Sequence, residues 1–183
     1  MFGLNKKKMK EICTEIIWYG GKRNGKWIIP VVIDFDFTVT CKSSWLDGTF
    51  TENEGCFATL KKWTDKYNVM YVLDTMRGGE HIKPAVDYLV ENGISLLGVG
   101  KNPYQDSDGC FSAKCWGIFS IDDRNVGTPL IYPENGRPFV DWKKIDAMLT
   151  PKLQEIHDKL PMYEDEVLRN KAEVMAQSKA SQN

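Results

Sequence analysis

The feature of this sequence that points most directly to chemistry is a pair of carboxylates at the end of an apolar run. Residues 31–33 are valine or isoleucine, and Asp34 and Asp36 follow, two positions apart. In a strand, residues two apart face the same side, and ligands of open α/β sheets bind at the carboxyl ends of strands. Two close carboxylates repel each other, so we expect a divalent cation and one reactive carboxylate. A solvated strand end with an Asx turn is the alternative that this segment leaves open.

Hydroxyl groups near two strand ends are candidate phosphate contacts. Thr38 stands two residues after the second carboxylate, where it can brace the loop or touch a substrate. A second apolar run, residues 69–73, leads into Thr75, Met76 and Arg77 and then a glycine pair, which permits close backbone approach. We expect Thr75 to hold a phosphoryl group, with Met76 and Arg77 as substrate contacts. The alternatives are that Thr75 is an ordinary turn residue and that Arg77 pairs with an acid.

Two more polar elements follow along the chain. Lys114 stands alone in a polar stretch, and a short apolar run, residues 118–121, ends in Asp122 and Asp123. One aspartate of an adjacent pair can coordinate a metal ion while the other holds its water shell. Taken alone, Lys114 would be interpreted as a solvated surface lysine, and Asp122 and Asp123 as a charged turn. All four elements in this order are hard to obtain by chance.

The order Asp-x-Asp-x-Thr, strand-Thr, Lys, strand-Asp-Asp resembles the four motifs of the haloacid dehalogenase (HAD) superfamily of phosphohydrolases. The resemblance covers roughly residues 28–149. The stretch 121–130 is most similar to small capless phosphatases of bacteria and phages, and it also resembles the Asp-Asp-Arg segment of deoxyribonucleotidases. Phe37 is a departure, because many members of the superfamily have glycine at that position.

The resemblance implies a phosphatase that forms an aspartyl-phosphate on a phosphomonoester substrate, with a nucleotide as one candidate. Asp34 would be the nucleophile, and Asp36 would be the general acid and base. Thr75 would hold the phosphoryl group, and Lys114 would neutralise both that group and the nucleophile.

The same resemblance implies a magnesium site. Asp34, the backbone carbonyl of Asp36 and Asp123 would be direct ligands, and Asp122 would orient a metal-bound water. Mg²⁺ is expected because every ligand is an oxygen and several waters remain. The ion would shield the attacking carboxylate from the anionic phosphate.

Composition excludes several classes of protein. A chain of 183 residues, 42% of them hydrophobic, suits one globular enzyme-sized domain. A net charge of −1 gives no electrostatic argument for nucleic-acid binding, which stays open. No apolar run approaches ~18 residues, so no membrane span is expected. Five scattered cysteines and two histidines do not suggest zinc, and we expect reduced thiols in a cytoplasm, or in the host cytoplasm or virion of a phage.

The alternation of predicted elements indicates an α/β fold with a doubly wound, Rossmann-like parallel sheet and no cap domain. We divide the chain into an N-terminal helix and loop (1–27), a HAD-like catalytic domain (28–150) and a helical tail (151–183). Predicted helices cover 5–18, 56–67, 81–92 and 152–160. Predicted strands cover 31–33, 71–74, 94–99, 118–121 and 130–132, and the first begins after Pro30 because proline fits poorly in a central strand.

The gaps between motifs are too short for a folded cap, so we expect an open site. Loops 41–55 and 101–113 would shield it at most, with Trp45, Phe50 and Tyr104 either lining it or packing under a long loop.

The C-terminal segment suggests a second class of function. Pro161 is expected to end the helix at 152–160, and the charged stretch that follows has few apolar residues and would fray alone. We therefore expect the tail to pack on another chain or to lie across the domain surface. The alternative to an enzyme is a HAD-fold structural protein that uses its N-terminal helix and this tail to form homo-oligomers or bind partner chains.

Overall fold

The computed structural model describes residues 5–44, 48–106 and 112–180, with side chains to residue 177. Trp45 and part of the 101–113 loop, both named above as candidate walls of the site, lie outside the described residues.

The centre of the fold is a four-stranded parallel sheet. Its strands are β3 (Ile29–Ile33), β6 (Val69–Leu73), β7 (Leu96–Val99) and β8 (Phe119–Ile121), arranged in the order β7-β6-β3-β8. Every residue of β3 is buried, as the unbroken apolar run predicts for a central strand. The chain moves outward from β3 to β7 and then returns to the other side of β3, so the strand order reverses between β3 and β8. This confirms an α/β fold and puts the usual ligand-binding crevice at the ends of β3 and β8.

The predicted start of β3 is wrong, because the strand begins at Ile29 and contains Pro30. The Pro30 carbonyl accepts a hydrogen bond from Ile118 N at 2.8 Å, so the Pro30 nitrogen faces the β8 side. Strand β8 begins only at Phe119, which lies opposite Val31. The missing N–H therefore falls just outside the ladder and costs no strand hydrogen bond.

The first three helices agree with the sequence prediction to within about two residues. They are α1 (Lys6–Tyr19), α2 (Cys56–Tyr67) and α3 (Ile82–Glu91), the last preceded by a 3₁₀ turn. Asn5 caps α1 by accepting a hydrogen bond from Lys8 N at 2.8 Å. Gly93, with φ of +74°, follows the end of α3 as predicted, because glycine adopts this backbone without strain.

The C-terminal helix differs from the prediction. Helix α4 (Trp142–Ala180) is continuous, with Pro151 and Pro161 inside it. An internal proline costs about 3 kcal/mol, but each fully buried aliphatic side chain contributes about 1.5–3 kcal/mol. The buried stripe of α4 continues past Pro161, so packing offsets the proline cost; its members are Leu153, Ile156, Leu160 and Val167.

This stripe of α4 joins one hydrophobic core with α1. The buried face of α1 consists of Met9, Ile12, Cys13, Ile16 and Ile17. Lys10 pairs with Glu166 at 2.7 Å, and Lys171 Nζ donates to the Trp18 carbonyl at 2.5 Å. The tail therefore lies across the surface of its own chain, which is one of the two predicted placements. Whether it also contacts a partner chain stays a prediction.

Short antiparallel hairpins complete the fold: β1 (Lys22–Arg23) with β2 (Lys26–Trp27), β4 (Thr40–Ser43) with β5 (Phe50–Glu52), and β9 (Leu130–Ile131) with β10 (Phe139–Val140). The β9–β10 hairpin is tied to the loop after β3, because Val140 N donates to the Phe37 carbonyl at 2.9 Å. Within the described residues, no helix combines the length and apolarity that crossing a membrane requires.

Candidate active site

Three carboxylates converge where β3 and β8 end side by side. Asp34 follows β3, and its backbone N–H donates to the Ile121 carbonyl at 3.0 Å, which extends the pairing of the two strands by one step. Asp122 and Asp123 follow β8, and one oxygen of each of the three carboxylates lies within 4.8 Å of the others. They open into a cleft of about 210 Å³, whose lining also includes Asp36, Phe37, Thr75, Met76, Arg124 and Arg137.

Asp34 is the carboxylate whose environment is most unusual. Burial raises the pKa of Asp34 to about 7, and the negative charges of Asp122 and Asp123 push it the same way. Hydrogen bonds from the Phe35 N–H and the Thr38 hydroxyl, the latter at 3.1 Å to Oδ2, act in the opposite direction. A half-buried carboxylate with a perturbed pKa in a cleft is a mark of a functional group.

Thr38 braces the site from beneath and is not among the residues that line the cleft, which agrees with the first of the two roles that the sequence leaves open for it. The residue is fully buried because the chain turns tightly after Asp34, with Val39 N donating to the Phe35 carbonyl at 2.9 Å. Besides its bond to Asp34, the Thr38 hydroxyl accepts a hydrogen bond from Asp123 N at 3.1 Å. One hydroxyl thus connects the ends of the two strands that carry the carboxylates.

Arg77 pairs with an acid, which was the alternative to its predicted contact with substrate. Its guanidinium donates to both carboxylate oxygens of Asp36, at 2.8 and 2.7 Å. The Arg77 side chain is 1% exposed and lies about 5 Å from the ring centroids of Phe35 and Phe50. Burial between the two rings keeps Arg77 away from the cleft surface. Phe50 is therefore a packing residue in this structure.

The second motif lies at the rim of the cleft. Thr75 is half-buried, and its Oγ1 accepts a hydrogen bond from Arg77 N at 3.3 Å. This leaves the hydroxyl hydrogen for another acceptor, which suits the predicted contact with a phosphoryl oxygen. Met76 is 81% exposed and lines the same cleft, where a bound substrate would meet it.

Lys114 is not brought into the carboxylate cleft. It is exposed and lines a different cleft, of about 420 Å³, together with Glu15 and Tyr19 of α1. The side-chain amide of Gln105 fixes this segment by donating to the Lys114 carbonyl at 3.0 Å. The order of the motifs predicts a lysine before β8, but contacts such as that of Gln105 determine the path of the loop that carries Lys114. The catalytic role of Lys114 stays a prediction.

The cations that do line the cleft are Arg124 and Arg137, which sequence reasoning did not select. Arg124 directly follows the Asp122-Asp123 pair, so adjacency to the fourth motif was an available signal. Arg137 lies in the β9–β10 hairpin and had no local signal. Its Nη2 donates to Asp123 Oδ2 at 2.6 Å, and its guanidinium carbon lies 4.5 Å from the Phe37 ring centroid.

Phe37 occupies a backbone conformation that glycine would adopt freely. Its φ is +62°, in the left-handed region, which costs a residue with a side chain about 1–2 kcal/mol. A partly exposed cation–π contact with Arg137 returns about 0.5–1 kcal/mol. The turn therefore accommodates the aromatic ring, and the ring packs beside the cleft under Arg137. Local strain of this size commonly accompanies functional loops.

Comparison with known proteins yields one informative likeness. No family model matches this chain, and no curated protein matches it. Among solved structures, the chain is similar to a conserved protein from Bacteroides thetaiotaomicron, with 26% sequence identity and a TM-score of 0.51. The match covers 68% of this chain and 92% of that protein. The likeness supports the α/β fold and carries no statement of activity.

Proposed function

We propose that this protein is a Mg²⁺-dependent phosphohydrolase that acts on a phosphomonoester through an aspartyl-phosphate at Asp34. The observation that carries the proposal is the convergence of Asp34, Asp122 and Asp123 at the carboxyl ends of two adjacent parallel strands. The reversal of strand order beside β3 supports the further proposal that the sheet has the doubly wound HAD arrangement.

The donor set fits a hard divalent cation. Ionised carboxylates accept hydrogen bonds but do not donate them, and three of them bring an oxygen within 4.8 Å of one another. Their mutual repulsion, which adds to the effect of burial in raising the pKa of Asp34, falls when a cation binds. Asp34, Asp123 and the Asp36 carbonyl would hold the ion, and Asp122 would orient its water. When bound, Mg²⁺ supplies charge shielding between the attacking carboxylate and the phosphate.

Asp34 is the proposed nucleophile because it is the carboxylate held in place from two sides. The Thr38 hydroxyl orients Oδ2, and the Phe35 N–H also donates to the carboxylate. A carboxylate oxygen attacks phosphorus, the bond to the leaving oxygen breaks, and an acyl phosphate forms. Water then attacks phosphorus, which releases inorganic phosphate and regenerates the Asp34 carboxylate.

Asp36 is the proposed carrier of the proton in both steps. It gives a proton to the leaving oxygen and then takes one from the attacking water. The bidentate contact with Arg77, supplemented by a hydrogen bond from the Ser43 hydroxyl, fixes the orientation of this carboxylate beside the nucleophile. Proton transfer requires such positioning, so Arg77 acts as a positioning residue.

The surroundings of the cleft support a substrate that can be bulky. The described residues between Asp36 and Thr75 form the β4–β5 hairpin, α2 and β6, and those between Thr75 and Lys114 form a 3₁₀ turn, α3 and β7. Neither described segment contains a separately folded cap. A phosphate on a nucleotide or on a larger carrier can therefore approach the carboxylates.

The proposal is tested by hydrolysis of a panel of phosphomonoesters with Mg²⁺ and with EDTA. The panel contains nucleoside 5′- and 3′-monophosphates, sugar phosphates, p-nitrophenyl phosphate and a phosphopeptide. We expect Mg²⁺-dependent release of phosphate from at least one class, and none above background from Asp34→Asn. Absence of release from every substrate, or equal release by the variant, would refute the proposal.

The alternative of a purely structural protein has less support. Its two proposed binding elements, α1 and α4, pack against each other within one chain and share the core. The exposed residues Val174 and Met175 near the end of α4 still leave a surface on which a partner could dock. Measuring the molar mass in solution alongside the hydrolysis panel separates the two functions.

A further inference from the structure

A cation from outside the four motifs sits at the candidate metal site. Arg137 Nη2 lies 2.6 Å from Oδ2 of Asp123, the aspartate proposed as a direct metal ligand. The Asp123 side chain is 8% exposed and the Arg137 side chain is 41% exposed. The arginine therefore covers the carboxylate from the solvent side, where an incoming cation or phosphate must pass.

The placement of Arg137 depends on a connection between the hairpin and the nucleophile loop. Val140, three residues after Arg137, donates its N–H to the Phe37 carbonyl. The Phe37 ring then lies against one face of the guanidinium, at 4.5 Å. The ring restricts the position of the guanidinium but leaves its N–H groups available for hydrogen bonds. Among the described residues, Asp123 is the hydrogen-bond acceptor of this guanidinium, which carries five N–H groups.

Arg77 shows what an arginine fixed in one position looks like near the same site. Its side chain is buried, stacked between two rings and bound to both oxygens of Asp36. Arg137 differs on each count: it is exposed, has one ring on one face, and makes a single contact with its carboxylate. An exposed single contact is weak, so a divalent ion can displace it.

The charges lining the cleft make such a displacement useful. Four aspartates and two arginines line it, so the cleft is net negative and repels a phosphate dianion. A divalent ion neutralises this net charge. The ion also binds Asp123 in place of the Arg137 guanidinium. The guanidinium is then left beside the cleft, and its planar arrangement of N–H donors matches phosphate oxygens.

We propose that Arg137 holds Asp123 in place of the divalent ion and, once that ion binds, turns on the Phe37 ring to bind the phosphoryl group. This inference rests on the proposed function, and it assigns to Arg137 the phosphate-neutralising role that the HAD resemblance implies for Lys114. Arg137 thereby couples the two ligands: metal binding frees the cation that the phosphate needs.

Calorimetric titration of the full chain tests the coupling without turnover. The first titration measures Mg²⁺ binding alone, and the second measures inorganic phosphate binding at saturating Mg²⁺. For Arg137→Gln we expect Mg²⁺ to bind about two- to fivefold more tightly, because an exposed ion pair no longer competes. We expect phosphate to bind at least about tenfold more weakly, because a charge-assisted hydrogen bond is lost.

The opposite signs of these two changes separate the proposal from simpler roles. An arginine that merely braces Asp123 would weaken both affinities when removed, and an irrelevant one would change neither; either result overturns the proposal. Arg124→Gln is the matched control, because it removes the same charge from the same cleft. Equal effects of the two variants would show that only the loss of a positive charge matters, and this result would also overturn the proposal.

Failure of the proposed function gives a different pattern. If the unaltered protein binds neither Mg²⁺ nor phosphate and hydrolyses nothing, both proposals fall together. If it binds and hydrolyses normally while Arg137→Gln matches it in both titrations, only the coupling through Arg137 falls.

Discussion

The guanidinium of Arg77 contacts both carboxylate oxygens of Asp36, at 2.8 and 2.7 Å, from a position beneath the cleft floor. The Asp36 side chain is 15% exposed and the Arg77 side chain is 1% exposed, so the carboxylate reaches the cleft and the guanidinium does not. In such an ion pair, the buried guanidinium fixes the orientation of the partly exposed carboxylate. The pair therefore connects the stability of the loop after β3 to the position of the proposed acid and base.

We expect Arg77→Met to destabilise the protein and to slow turnover. Removing one partner of a largely buried pair leaves the other with an unmet charge, which costs about 3 kcal/mol. The double variant Arg77→Met, Asp36→Asn should lose less than the sum of the single changes, with a coupling of about 1–3 kcal/mol in urea unfolding. Additive losses would show that the contact has no energetic weight.

Stability should fall as pH rises through the range in which Asp34 titrates. Because burial raises the pKa of Asp34 from 3.8 to about 7, the folded state holds this proton more tightly than the unfolded state. Stability from this group is present at low pH and is lost between about pH 4 and about pH 7. In EDTA, Asp34→Asn should therefore be more stable than the unaltered protein at pH 8, by a few kcal/mol, and the difference should be much smaller at pH 4. An equal difference at both pH values would contradict the assignment.

Mg²⁺ should stabilise the protein most at high pH. The ion competes with the proton on Asp34, and at 100 times the dissociation constant, binding adds about 2.7 kcal/mol to the free energy of unfolding. Thermal melts at a Mg²⁺ concentration at least about ten times the dissociation constant should show a larger rise in Tm at pH 8 than at pH 5. Asp123→Asn should abolish the rise. Asp74→Asn is the matched control, because Asp74 is exposed at the end of β6 and does not line the cleft.

Substitution of Phe37 should separate backbone strain from ring contact. Phe37→Gly relieves the left-handed backbone but adds glycine's chain entropy and loses the ring, so the free energy of unfolding should change by less than about 1 kcal/mol. Phe37→Leu keeps the strain and loses the contact with Arg137, so it should destabilise by about 0.5–1 kcal/mol. A Phe37→Gly protein that is several kcal/mol less stable would show that the ring is mainly a core residue.

Removing the end of α4 should cost stability without removing activity. Deletion of residues 162–183 takes away the buried Val167 and the Lys10–Glu166 pair, a loss of about 1.5–3 kcal/mol. Activity on a small phosphomonoester should persist at temperatures where the shortened chain is folded. Deletion from residue 152 is the contrasting case, because it also removes Leu153, Ile156 and Leu160 from the core and should prevent folding. Loss of activity in a folded 1–161 chain would place the tail in the site.

Local sequence patterns were enough to predict the elements that carry the carboxylates. Apolar runs that end in Asp34, Thr75 and Asp122 predicted three strand ends at one edge of a sheet, and the structure brings these residues into one cleft. Local patterns also predicted α2 and the glycine that follows α3. These features depend on side-chain periodicity and backbone conformation over a few residues, which a single sequence displays directly.

The pairing of charged side chains depends on tertiary contacts that the sequence does not display. Arg77 is buried against Asp36, Lys114 lies in another cleft, and Arg137 reaches Asp123 from a distant hairpin. Pro161 likewise stays inside α4 because α1 covers the buried stripe that continues beyond it. In each case the outcome depends on the path of a loop or on a surface supplied by a distant segment. Local sequence preference is then outweighed by packing energies that exist only once the chain has folded.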